Sequence, residues 1–131
     1  MAFYNNPLRV LRYVQASHDR GQPLMSMEKA VWRLTKENAD FFNLDAGPLS
    51  VGKRADITVI DPNQLSDHVH EYHTAPFLGR TRLVNRNDDV VSLGMINGEV
   101  AWEAGEFTPA FGNERCGQFL RGKHGYPPRP Q

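Results

Sequence analysis

The chain has 131 residues, 40% apolar and 23% charged, with 15 Lys plus Arg against 15 Asp plus Glu. That length fits one domain of ordinary size, able to bury roughly two thirds of its unfolded surface. A cancelled charge gives no electrostatic footprint for nucleic acid or an anionic membrane, and no apolar run is long enough for a membrane span. The single cysteine, Cys116, excludes an internal disulfide and a Cys-rich zinc site. The N-terminus lacks the basic-then-apolar order of a signal peptide, so the expected location is cytoplasmic.

The first predicted element is a helix in "NPLRVLRYVQASHDRG", with Asn6 as its cap, Pro7 at its first position and Gly21 at its end. Leu8, Leu11, Val14 and His18 fall on one face at helical spacing. His18 suits the helix C-terminus as a cation and reads as an end residue rather than a ligand. The adjacent Ser17, His18 and Asp19 have the letters of a catalytic triad, but neighbouring helix positions cannot face one another.

A second helix is predicted in "PLMSMEKAVWRLTKENADFFNL", capped by Ser26 with Glu28 in its first turn. Its apolar stripe is Met27, Ala30, Val31 and Leu34, continued by Phe41, and Gly47 and Pro48 mark its far side. "ADITVI" is a short strand stopped by Pro62, with Ile57 and Val59 on one side and Thr58 and Ile60 on the other. A long polar connection runs from there to about residue 74. "GRTRLVNR" is a candidate strand, and "VVSLGMINGEVAWEAGEF" a hairpin whose Asn97-Gly98 pair suits a type I′ turn.

Two helices followed by hairpin-linked strands make an α+β class with a small antiparallel sheet. The expected division is 1–46 for the helices, 47–107 for the strands and hairpin, and 108–131 for an irregular tail rich in Gly, Pro and Arg, all in one compact domain.

The polar connection contains "DHVHEYH", residues 67–73, with His68, His70 and His73. Imidazoles bind zinc or nickel well, and alternate residues of an extended segment point to one side, so His68 and His70 are the weak metal candidates, with His73 beside them. The favoured reading is a solvated loop. Asp88-Asp89 reads as a turn, not an acid–base pair, and "NRNDD" (residues 85–89) as a polar loop. Trp32 and Trp102 read as packing residues, and Cys116 as a bystander.

Taken together, "MEKAVWRLTKENADFFNLDAGPLSVGKRADITVIDP" and "MINGEVAWEAGEF" resemble the C-terminal part of metal-dependent amidohydrolases. The resemblance is closest to the N-acyl-D-amino-acid deacylase (D-aminoacylase) family. It rests on Gly47-Pro48-Leu49, Gly52, Ala55-Asp56, Asp61-Pro62, Ile96-Asn97-Gly98, Val100 and Gly105, with "CGQFLRG" resembling the family's basic tail.

It implies a complete enzyme with a (β/α)₈ barrel, a zinc-activated water and a small accessory β-sandwich, of which this chain supplies the last helices and the C-terminal strands. The family's His-x-His follows a buried barrel strand, whereas His68-x-His70 follows a polar connection. The family's late catalytic Asp has no counterpart before Pro7. The resemblance therefore implies a hydrolase of non-peptide carbon–nitrogen bonds whose catalytic residues, and zinc, lie outside this chain, which is inactive alone. Its partner is a barrel-bearing portion or a second copy, since exposed sheet edges favour self-association. The alternatives are a stand-alone metal, ligand or interaction module, and a subunit that completes a separately encoded barrel.

Overall fold

The computed structural model describes residues 6–66, 71–75, 79–84 and 89–123. It contains helices and a small antiparallel four-stranded sheet, an α+β protein as the element order predicts. No helix among the described residues is long and apolar enough to cross a membrane. The chain divides into two compact units: Met1–Ala30 with Asp61–Val90, and Val31–Ile60 with Val91–Gln131.

In the first unit, α1 spans Asn6–Asp19, so Asn6 lies inside the helix rather than ahead of it. Its buried residues are Leu11, Val14 and Ser17, while His18 is exposed at the rim. Steps of three residues bring Ser17, not His18, to the covered face. Ser17 is tolerated there because its Oγ donates to Val14 O (2.6 Å) and accepts the Leu24 N–H (3.1 Å). Gly21, at φ +69°, donates to His18 O (2.9 Å), and Gln22 N–H to Ser17 O (3.0 Å), which closes the helix end.

Ser26 caps the next helix, accepting the Lys29 N–H at its Oγ (3.2 Å). A short 3-10 turn, Pro62–Gln64, follows Asp61, whose carboxylate accepts the Asn63 N–H (2.9 Å). Gln15 reaches this turn from α1, donating to Pro62 O (3.0 Å). Among the described residues of this unit, Leu11, Val14, Ala30, Leu65 and Val90 are the buried apolar ones.

The polar connection expected after Pro62 is not all loop. Glu71–Ala75 forms a strand that pairs antiparallel with Arg80–Val84, Glu71 opposite Val84 and Ala75 opposite Arg80. Thr74 Oγ1 and Thr81 Oγ1 meet at 2.8 Å across the pair.

The second predicted helix is interrupted. It runs as α2, Met27–Trp32, then a π-helical segment, Arg33–Glu37, then α3, Asn38–Phe41. Two side chains intrude on the helical ladder: Thr35 Oγ1 donates to Val31 O (2.8 Å) and Asn38 Nδ2 to Leu34 O (3.2 Å). The wide turn rotates the faces of α3 away from the stripe of α2. Ala39 is buried in place of the predicted continuation, and Val31 and Phe41 are exposed.

The sheet of the second unit has four antiparallel strands: β1 Ile57–Ile60, β4 Val91–Ile96, β5 Glu99–Glu103 and β6 Glu106–Phe107, in that spatial order; the pair described above supplies β2 and β3. Ile57 and Ile60 are half-buried while Val59 is exposed, so the expected grouping of Ile57 with Val59 does not hold, and the pairing with β4 shifts at a bulge between Val59 and Ile60. The turn between β4 and β5 has Asn97 at φ 53° and Gly98 at φ 93°, the two positive angles a type I′ turn requires. A second turn of this kind, Ala104 (φ 50°) and Gly105 (φ 89°), adds β6. Gly94 lies opposite Trp102, where an added Cβ would stand 3.3 Å from the Trp102 Cβ.

Candidate functional site

The residues that lead into β1 meet the turn between β4 and β5. Asp56 Oδ1 accepts the Asn97 N–H (2.8 Å), and the Gly98 N–H donates to Ala55 O (2.9 Å). Arg54 Nη2 donates to the other oxygen of Asp56. Both carboxylate oxygens are thus occupied, one by backbone and one by a guanidinium. An acceptor held this way fixes the register of β1 against the hairpin and is not aimed at a substrate.

Arg54 also lines a cavity of about 300 Å³, together with Asp45, Lys53, Gln118, Phe119 and Arg121 among others. The segment 118–121 reaches it because the tail is pinned further on. Lys123 N–H donates to Asn43 O (2.9 Å), and Asn43 Nδ2 donates to Lys123 O (2.6 Å). Asp45 accepts from Lys53 Nζ (2.9 Å), and Lys123 Nζ stands 3.7 Å from its second oxygen. The hydrogen bond from Lys53, then the Lys123 charge, hold the Asp45 carboxyl below the usual carboxylate range. The side chain of Arg54 is 17% exposed, and its Nε and Nη1 are buried with no hydrogen-bond partner among the described residues.

None of the described sequence candidates lines this cavity. His68 and His70 lie outside the described residues, as does Asp88; His73 lies in the middle of β2, opposite Arg82. Asp89 is exposed in the turn before Val90. Ser17, His18 and Asp19 turn to three different partners: Val14 O, Met25 O (2.8 Å from His18 Nε2) and Arg12 (3.8 Å). Trp102 is a packing residue, with Nε1 donating to Val91 O (2.9 Å) and its ring edge-on to Phe107 at 4.9 Å. Trp32 is 39% exposed. Cys116 Sγ faces Glu114 O at 3.7 Å.

Among the described residues, no three His, Cys, Asp or Glu side chains converge as metal ligands. The carboxylates nearest the cavity, Asp45 and Asp56, are occupied by cations and backbone instead. These residues do not fit a zinc centre, and no metal-dependent step is assigned to them.

Sequence reading did not find Lys53, Arg54 or Arg121. The signal was present in "GKRAD" and "FLRG", but only the folded tail brings the two segments together.

Residues 4–101 match the pattern of the amidohydrolase family. The chain belongs to the amidohydrolase family. This amidohydrolase is 42% identical over 129 residues to an uncharacterized protein of Mycobacterium bovis and to two of Mycobacterium tuberculosis. The alignment covers 92% of this chain but 21% of the length of these curated relatives. No solved structure matches the chain.

Proposed function

We propose that this chain is the non-catalytic C-terminal part of an N-acyl-D-amino-acid deacylase-like amidohydrolase, and that the zinc site and the bond-breaking residues lie in the barrel-bearing remainder. The observation that carries this reading is the clasp. Ala55-Asp56 and Asn97-Gly98, two of the pairs on which the resemblance rests, are spent on each other. Their chemistry is that of a scaffold: a carboxylate accepting backbone and guanidinium donors, and a turn that sets strand register.

The exposed Phe41, Phe42, Leu49, Val51 and Phe119 of the second unit support docking to a covering surface, which is the barrel-bearing part in this reading. Strand β1 is an edge of its sheet, which supports self-association as the second use of this surface. A cytoplasmic setting is part of the proposal.

Complementation tests it. A full-length Mycobacterium tuberculosis relative, assayed on N-acetyl-D-amino acids, is expected to lose turnover when its segment matching this chain is deleted. Adding this chain in trans is expected to restore part of that turnover. Full turnover without the segment would overturn the scaffold reading.

A further inference from the structure

We propose that the cavity between residues 52–54 and 118–121 binds a small oxyanion, a phosphate or a carboxylate, through Arg121 with Gln118 beside it, in the field of Lys53 and Arg54. The charge balance points this way. Lys53 and Lys123 are both turned to Asp45, one carboxylate for two ammonium groups, which leaves an excess positive charge beside the cavity. Arg54 is paired with Asp56 through Nη2, and its Nε and Nη1 are buried with no acceptor among the described residues. Arg121 is exposed and forms no ion pair among them.

A guanidinium shielded from water keeps its field, because little solvent screens it, and the exposed fork of Arg121 can meet an acceptor with several lone pairs. Phosphate and carboxylate have that form and the matching charge. The volume of about 300 Å³ holds either. Asp45 opposes the ligand, both by its own charge and by occupying Lys53 and Lys123.

That opposition supplies a test with two signs. Inorganic phosphate and acetate are titrated separately into the full chain by calorimetry at matched ionic strength. Saturable binding of one ion per chain is expected for at least one of them, and which one saturates tells phosphate from carboxylate.

Arg121→Gln is expected to weaken that binding about tenfold, the loss of one charge-assisted contact. Asp45→Asn is expected to strengthen it, and Arg80→Gln, on β3, to leave it unchanged. Arg54 is not substituted, because its bond to Asp56 also holds the fold. Absence of saturable binding, an Arg121→Gln variant that binds as the parent does, or equal weakening by Arg80→Gln (a bulk charge effect) would each overturn the proposal. The site does not depend on the deacylase reading, and its failure would leave that reading intact.

Discussion

Gly47→Ala destabilises the second unit by about 2–5 kcal/mol, the largest effect expected of any single methyl group added to it. Two costs combine. Gly47 sits at φ +98°, where an L side chain is strained. Its added Cβ would stand 2.9 Å from Lys36 Cα, 3.1 Å from Lys36 N and 3.3 Å from Thr35 C. All three atoms are backbone of the π-helical segment, so no flexible side chain can swing aside. Gly52→Ala is the control: φ is +81°, but nothing lies within 4 Å of the new Cβ, so only the conformational cost of about 1 kcal/mol remains. Urea unfolding followed by tryptophan fluorescence reads both variants, because Trp32 and Trp102 belong to the second unit. Equal midpoints for the two variants would mean that Gly47 is not pressed against the π segment.

Asp56→Ala is expected to cost about 2–3 kcal/mol. The substitution removes the acceptor of the Asn97 N–H and leaves Arg54, already short of partners, with none for Nη2. The figure stays below that of a fully buried ion pair because the Asp56 side chain is 38% exposed. Asp56→Asn keeps a neutral acceptor for the backbone and is expected to lose about half as much. Adding Arg54→Met to Asp56→Ala should recover stability, since it removes a shielded cation without a counter-charge. A double variant less stable than Asp56→Ala would show that Arg54 stabilises the fold by means other than this pair.

The features legible in the sequence are those set by short-range forces. The Asn97-Gly98 turn was legible because two adjacent residues suffice to set it. The Ala104-Gly105 turn obeys the same geometry, but an alanine in its first place hides it. The β2 strand, "EYHTA", has no apolar alternation to show, so it read as part of a polar loop.

The second helix had a clear stripe, and hydroxyl and amide side chains at Thr35 and Asn38 rearranged the turns beneath it. For the candidate site, the family motif was visible while its use was not. Asp56 and Asn97 are far apart in the sequence, and so are Arg54 and Arg121; only the hairpin register and the pinned tail bring each pair together. The amidohydrolase resemblance, by contrast, was legible from several weak pieces in order, and the family match over residues 4–101 bears it out at that level.

The claim most exposed to test is that the chemistry lies outside this chain. The direct measurement is hydrolysis of N-acetyl-D-amino acids by the tag-free chain after loading with zinc and desalting. The account predicts no turnover above the buffer rate. Turnover that disappears in a His68→Ala, His70→Ala double variant would contradict it and make "DHVHEYH" a metal centre.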